Sequence, residues 1–524
     1  MKTITPQEAA ALIRDGATVA FGGLGAYGAP DTLEKAIADR YEAEGHPRNI
    51  VAVGTLCTGK NNDEPVGMNR LSADGLIGTL IAAHYKNPMT LEKKVGLNAF
   101  AAYTLPLGIV VKLMRAGAAR QPGVLTRVGL ETYIDPRNDG PAANDLAREQ
   151  DWYRIQVLQI DGEDYLFYPS IDLDVCVLRA SYADEKGNLC FTKEVSVDAS
   201  LEMAMAVHNN GGIVIAEVQD IVQSGSIPAR NVRIFHTLVD YVVRMDMGIY
   251  WQGYAARFRP ELCAETRMPV AALEPLPLDI RKVIARRAAM ELKPNSVINL
   301  GIGIPSGVGA VANEEGIADL MTLSLETGPT GGVPMAGLGF GGAANPEMIA
   351  TISDNFDFYD GGALDSAFLG LAEVNREGNV NVSKFNRRCA GPGGFIDITQ
   401  NTKHVCFLGG FTAGRGEIAV GDGKLDIRQS GTGVKFVEHV QQITFSAKYA
   451  RKTGQRVLYI TERCVFELAR EGIVLTEIAP GVDLEKDILP YMGFRPVISD
   501  NLKQMDARLF RAEPMGIREE IMLR

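Results

Sequence analysis

An internal repeat limits the folds open to this chain more than any other feature. Asp174 to Leu189 (DVCVLRASYADEKGNL) lies without a gap over Asp365 to Val380 (DSAFLGLAEVNREGNV) at an offset of 191. Leu178/Leu369, Gly187/Gly378 and Asn188/Asn379 are identical, and the same offset carries Val214 onto Val405 in the next apolar run. Two glycine turns also align, Gly25 onto Gly303, at an offset of 278, so the first copy holds 278 − 191 = 87 extra residues between its turn and its Asp174 strand. The chain's 524 residues exceed what one hydrophobic core usually serves. We therefore expect an α/β protein of two structurally similar α/β halves, with the site at their interface. The halves read as 1–268, with an insertion over 60–150, and 278–524, joined by a Pro-rich linker at 269–277 that contains Pro269, Pro275 and Pro277.

Local signals alternate as such a fold requires. Thr5-Pro6-Gln7-Glu8 starts a helix that runs to Gly16: an N-cap, a proline at the first position and an acid at the third. A strand over 17–21 leads into the turn Gly22–Gly28, and Pro30-Asp31 opens a helix to Glu44. Strands follow at 49–53, 174–180 and 212–218, with a helix at 200–209 between the last two. Segments 75–85 and 106–119 read as helices or long connections. After the linker come a helix at 278–292, a strand at 296–300, the turn Gly301–Pro305 and a helix at 306–315. The 56 glycines cluster at strand-to-helix junctions, where backbone must come close to a ligand.

Charge and cysteines narrow the function. A net charge of −11 argues against a nucleic-acid or membrane partner. A small anion stays compatible, because backbone N–H groups can hold it. Seven scattered cysteines without a C-x-x-C pair fit free thiols in a reducing cytosol. The N-terminus lacks a signal-peptide apolar core, and no run approaches the ~20 apolar residues of a membrane span. A cytoplasmic, soluble protein is expected.

Chemistry centres on one acid. The run Asp319–Leu325 reads as a short strand, Thr327–Gly332 as a tight turn, and Glu326 stands between them. In open α/β sheets ligands bind outside the carboxyl ends of the strands. Glu326 is thus a candidate nucleophile or base, against the plain alternative of a solvated acid. Gly361-Gly362-Ala363-Leu364-Asp365 could aim backbone N–H groups at an oxyanion, or be a simple turn. Gly23–Gly28 and Gly337–Gly342 both fit the dinucleotide pattern G-x-G-x-x-G. The ribose-binding acid is missing after the second strand, which ends Val53-Gly54-Thr55, so an NAD-dependent oxidoreductase stays only as an alternative. Gly54–Asn61 misses the P-loop by its last residue, there is no G-x-S-x-G elbow, and the histidines form no H-E-x-x-H pair. His208, His236 and His404 read as ordinary residues near helix or strand ends.

Taken in order and spacing, Gly301–Pro305, Ser324-Leu-Glu326-Thr-Gly328, Gly337–Gly341 and Gly361–Asp365 resemble the family I coenzyme A transferases. The likeness is to the propionate/acetate CoA-transferase group, in which both subunit types are fused in one chain. It extends through Pro122–Gly129, Asp161–Ser170, Gly378–Phe385 and Val457–Arg463. The resemblance implies a nucleophilic Glu326 that carries a glutamyl-CoA thioester during ping-pong transfer between a short-chain acyl-CoA and a short-chain carboxylic acid. It implies oxyanion amides at Gly362 and Ala363, faced by Gly25 and Gly28 from the other half. Asn299, Gly301, Gly303, Gly337, Gly339, Gly341 and Gly342 would border the CoA. Some relatives place a lysine after the glycine loop, where this chain reads Asn345-Pro-Glu, so nucleotide contacts would fall to Lys384, Arg387 or Arg388. Coenzyme A is a substrate in this scheme, with no metal or other cofactor, and the family implies self-association, often to a tetramer. An acyl-CoA hydrolase working through the same intermediate is the nearest chemical alternative. Tyr103, Tyr133 and Phe340 are candidates for the acyl pocket, with plain core as the alternative for each.

Overall fold

Two large sheets carry the fold, one from each half of the sequence. The computed structural model describes residues 1–254, 258–269, 275–335, 339–386 and 388–524. In the first sheet, β1 (Thr18–Leu24), β2 (Ile50–Leu56), β3 (Ile77–His84), β4 (Ala101–Thr104), β5 (Val175–Asp184), β6 (Ile213–Val222) and β7 (Tyr241–Arg244) run parallel in the order β7-β6-β5-β1-β2-β3-β4. In the second, β8 (Val297–Leu300), β9 (Thr322–Ser324), β10 (Ser366–Gly370), β11 (His404–Leu408) and β12 (Arg456–Ile460) run parallel in the order β12-β11-β10-β8-β9. The five-strand order is the same in both sheets. Their strands are apolar almost throughout, as sheets covered on both faces require.

The repeat is reproduced bond for bond. Val175 pairs with Ile213 in the first sheet and Ser366 with His404 in the second, each shifted by 191. Thr18 N–H donates to the Asp174 carboxylate at 2.9 Å, and Val297 N–H donates to that of Asp365 at 2.9 Å. After each strand, an Asx turn closes on Asn188 and on Asn379, with Gly187 and Gly378 at φ +102° and +93°. The opening strands are related by 297 − 18 = 279, whereas their turns are related by 278, so the second half is one residue shorter between strand and turn. Asn299, which the 279 shift places over Ala20, pairs with Ser324 as Ala20 pairs with Val53.

Three expectations fail. The segment at 75–85 is the buried central strand β3; its alternation is hidden because both faces are covered. The strand expected over 319–325 is cut to Thr322–Ser324 by a 3₁₀ turn at Ala318–Leu320. The helix started by Thr5 has the expected capping box but ends at Ala11. Residues 270–274 of the expected linker lie outside the described residues.

Residues 60–150 make many of the contacts between the halves. Besides β3 and β4 they supply the helix Leu107–Ala118, whose Lys112 meets Asp360 at 2.5 Å and whose Arg115 meets Asp354 at 2.9 Å, both on the helix Ile352–Asp360. Arg388 reaches back to Glu92 at 2.6 Å, and Tyr133 N–H donates to the Ile443 carbonyl at 2.7 Å. Leu107, Ile109 and Tyr133 share one core with Phe356, Tyr359 and Ile396.

The second half carries a buried ion network that ties its first helix to the sheet. Glu291 accepts from Arg287 and Arg456, each at 2.8 Å, and Arg287 also holds Glu477 at 2.6 Å. Burial acts to raise the Glu291 carboxyl, but Arg287 and Arg456 overcome it and hold it down at about 2. A carboxylate lowered in the fold stabilises it above the unfolded value near 4.5, and that stability is lost as pH falls toward 2. Glu291→Gln should therefore destabilise the protein at pH 7 by on the order of 3 kcal/mol. The gap from the parent should narrow through pH 3 and nearly close at pH 2 in denaturant titrations; an equal gap at pH 7 and pH 2 would refute the assignment.

Candidate active site

Glu326 sits at the tip of a tight turn where β9 ends. Leu325 N–H donates to the Pro329 carbonyl at 2.9 Å and Gly328 N–H to the Leu325 carbonyl at 3.0 Å. Gly328 has φ +114°, and a Cβ there would run into the Ala350 carbonyl, so only glycine lets the chain turn this sharply. A buried polar network fixes the turn from below. Asn299 Nδ2 donates to the Ser324 carbonyl at 2.9 Å and Asn355 Nδ2 to that of Leu325 at 2.8 Å. Ser324 Oγ, Asn299 Nδ2 and Asn355 Nδ2 all converge on the Tyr359 hydroxyl, at 2.8, 3.3 and 3.1 Å. From the first half, Ser196 Oγ donates to the Thr327 carbonyl at 2.7 Å. Both halves thus hold the acid's backbone.

A cavity of about 250 Å³ opens between the halves above this turn. The first half contributes the turn Leu24–Tyr27, Leu56, His84, Asn87 and Tyr254. The second contributes Asn299–Ile302, Glu326, Thr327, Phe340, Gly341, Leu369, Gly370, Val382, Gly391–Phe395 and Ile398. Glu326 is the one acid among these lining residues. Tyr27 crosses the seam to donate to the Phe340 carbonyl at 2.7 Å, and Thr327 Oγ1 donates to Gly341 O.

Burial pushes the half-buried Glu326 carboxyl up to about 7, and the neighbouring Gly394 amide works in the opposite direction. Burial and Lys86 bring His84 down to about 4, so its imidazole is neutral at pH 7. Burial raises Tyr359 to about 12 against the pull of its three partners. A carboxylate so placed can ionise near neutrality and act as nucleophile or base on a ligand in the cavity.

Of the residues expected at the site, Glu326, Gly25, Asn299, Gly301 and Gly341 meet at the cavity. Gly28 closes the first-half turn against Gly23 without lining the cavity. Gly25 is no oxyanion donor: its amide is spent on the Leu56 carbonyl at 3.2 Å. Gly303 is exposed beside the lining, and Gly339 and Gly342 bond one another at 3.1 Å to shape the loop behind it. Gly337 and Arg387 lie outside the described residues. Lys384 belongs to a hairpin that does not reach the cavity, and Arg388 is engaged with Glu92.

Gly362 and Ala363 need a correction. They stand at the end of the helix Ile352–Asp360, ahead of β10, and their amides close that helix on the Tyr359 and Phe358 carbonyls at 2.9 and 3.3 Å. They are therefore at the opposite end of β10 from the cavity-lining Leu369 and Gly370. Tyr103 and Tyr133 are core residues bonded to Ala147 O and Thr104, while Phe340 does line the cavity.

Sequence reasoning missed the loop Gly391-Pro-Gly-Gly394. Gly393 N–H donates to Ala83 O at 2.9 Å, its carbonyl accepts from Leu107 N–H at 3.0 Å, and Tyr85 N–H donates to Ala390 O at 2.8 Å. The loop is thus pinned to the end of β3. Its three glycines are a legible sign of close backbone approach, but segment 75–85, which holds the strand they approach, reads as a helix or long connection. His84, Asn87 and Tyr254 carry no motif.

Residues 3–245 match the family model described as Coenzyme A transferase. The chain is 42% identical, over 98% of its length and 98% of the relative's, to the caffeate CoA-transferase of Acetobacterium woodii. It is 40% identical, over 98% of its length and 96% of the relative's, to the acetate CoA-transferase YdiF of Escherichia coli strain K12. The crystal structure of the acyl-CoA transferase YdiF apoenzyme from E. coli O157:H7 matches with a TM-score of 0.92 at 39% identity, over 98% of this chain and 97% of that one. A second structure of that enzyme, a thioester complex with CoA, matches with the same TM-score of 0.92.

Two outcomes follow from the geometry. Because burial raises the Glu326 carboxyl, the charge costs stability as pH rises through about 7, and below about 4.5 the cost vanishes. Glu326→Gln should melt higher than the parent at pH 8 and alike at pH 4; the reverse pattern would contradict a buried acid. A Cβ at Gly394 would collide with Glu326 Oε2 and approach the Phe356 ring to 3.0 Å. Gly394→Ala should cut turnover about 100-fold by displacing the carboxylate, with little change in melting temperature.

Proposed function

The chain belongs to the coenzyme A transferase family, and from that premise we propose that Glu326 is the residue on which transfer turns. The protein is a CoA-transferase that moves coenzyme A between an acyl-CoA and a carboxylate through a glutamyl-CoA thioester. The observation that assigns the glutamate is that Glu326 alone among the cavity-lining residues carries a carboxyl, held at the tip of a turn clamped by both halves.

In this reading ionised Glu326 attacks the thioester carbonyl and gives an acyl-glutamyl anhydride and CoA thiolate. The thiolate then attacks the glutamyl carbonyl, leaving the thioester on Glu326 and the first acid free. The acceptor acid reverses both steps, so kinetics are ping-pong. When the thiolate attacks, charge develops on a Glu326 oxygen, and the Gly394 backbone lies beside it with its amide available as the donor. This amide takes the part first expected of Gly362 and Ala363. Apolar walls from Leu24, Leu56, Leu369, Val382, Phe395 and Ile398 discourage water, which favours transfer over hydrolysis at the thioester stage.

The acids we propose are short-chain, in line with the acetate relative at 40% identity. We assign 269–277 as the join of the halves, because every strand of the first large sheet ends by Arg244 and every strand of the second begins at Val297 or later. We also place the protein in the cytoplasm, where its seven free, buried thiols stay reduced, and as a self-associating chain, tetrameric as in many of the family.

Incubation with acetyl-CoA alone should add a CoA-sized mass to the peptide holding Glu326. Glu326→Gln should abolish both the adduct and transfer, by at least about 10³-fold. Transfer activity without any adduct in the parent would sink the covalent reading. A donor–acceptor matrix of short acids fixes the range, and acid-independent thioester loss would favour the hydrolase.

A further inference from the structure

Two different carbonyls become tetrahedral in this reaction, and the Gly394 amide serves only one of them. The other is the substrate's own acyl carbonyl, whose oxygen takes the electron pair when Glu326 attacks. It needs a donor on another wall of the cavity.

Most side-chain donors there are already spent. Asn299 Nδ2 goes to Ser324 O, Tyr27 O–H to Phe340 O, Thr327 Oγ1 to Gly341 O, and Asn87 Nδ2 to the Tyr254 oxygen at 3.2 Å. Tyr254 is different. Its oxygen accepts from Asn87, but its own O–H has no acceptor among the described residues. The ring is anchored in the first half, against the small cluster of Ala26, Ala29 and Trp251. Gly25 makes room for the pair: a Cβ on it would come to 2.8 Å from Asn87 Nδ2 and 3.9 Å from the Tyr254 hydroxyl. Burial raises the phenol, Asn87 opposes this, and the charge of Glu326 adds to it, so the hydroxyl keeps its proton and lies within electrostatic reach of the nucleophile. Neutral His84 lines the cavity too, but no comparable interaction ties it to Glu326.

We propose that Tyr254 is a catalytic donor, its O–H hydrogen-bonding the acyl oxygen of the substrate while Glu326 attacks. The proposal rests on Glu326 as nucleophile. A Glu326 oxygen bonds to the thioester carbon and the carbonyl π pair moves onto the acyl oxygen, which Tyr254 holds. The pair then returns, the C–S bond breaks and CoA leaves as thiolate. No proton changes hands. The two oxyanions are thereby divided between the halves: Tyr254 of the first half serves the substrate's carbonyl, and Gly394 of the second serves that of Glu326.

Rapid-quench mass spectrometry with acetyl-CoA tests this on Tyr254→Phe. Adduct formation on Glu326 should slow by about 100-fold at saturating acetyl-CoA, since one oxyanion donor is lost. Once formed by long incubation, the adduct should react with hydroxylamine at the parental rate, because that attack falls on the glutamyl carbonyl alone. A second variant, Tyr254→3,5-difluorotyrosine, keeps the shape and the donor and should form adduct at least as fast as the parent. Parental adduct formation in Tyr254→Phe would overturn the proposal, and so would equal slowing of formation and hydroxylaminolysis, or a fluorinated variant as slow as the Phe one. Absence of adduct in the parent itself would instead overturn the Glu326 reading.

Discussion

A carboxylate kept half out of water at the seam of two sheets is the constraint on which the rest of this molecule depends. Full burial would leave Glu326 protonated; on the proposed reading, full exposure would let water compete for its thioester. The structure meets both demands by rigidity. The acid's flanking carbonyls are tied to Asn299, Asn355 and Ser196, and its carboxyl lies beside the Gly394 backbone instead of a cation. An arginine in that place would have lowered the carboxyl and blunted the nucleophile. One amide tempers the burial without removing it.

The division of labour between the halves comes from an asymmetric addition to a symmetric plan. The shared five-strand order gives each half the same frame. Only the first has β3, β4 and the helix Leu107–Ala118, and these bear on the second half through Lys112, Arg115 and Tyr133. The end of β3 also receives the Gly391–Gly394 loop. The extra residues are thus the mortar of the interface and one wall of the site at once.

How much of this was legible in the sequence varies by kind of signal. The repeat was visible because Asp174/Asp365 and Gly187/Gly378 make the same backbone bonds, and those bonds tolerate few alternatives. Glu326 was visible as a lone acid between an apolar run and a glycine turn. Segment 75–85 was not, because a strand covered on both faces loses its alternation and looks like any apolar stretch. Gly362 and Ala363 were misplaced since a Gly-Gly pair signals a turn without saying at which end of a strand it falls. Tyr254 and Asn87 lie 167 residues apart and meet only once the first half has folded, so no local pattern could have joined them.

The register of the two opening strand pairs has a consequence for counting. Ala20–Val53 and Asn299–Ser324 are equivalent pairs, so the residue matching Glu326 in the first half is Thr55, two beyond Val53. There the strand does not end but runs on to Leu56, and Thr55, fully buried, donates to the Gly23 carbonyl at 3.0 Å. The duplicate frame therefore offers one seat and closes the other with a threonine. With Glu326 as the proposed nucleophile, a chain of two pseudo-equivalent halves is chemically monovalent: saturating charge with CoA should end at a single equivalent per polypeptide.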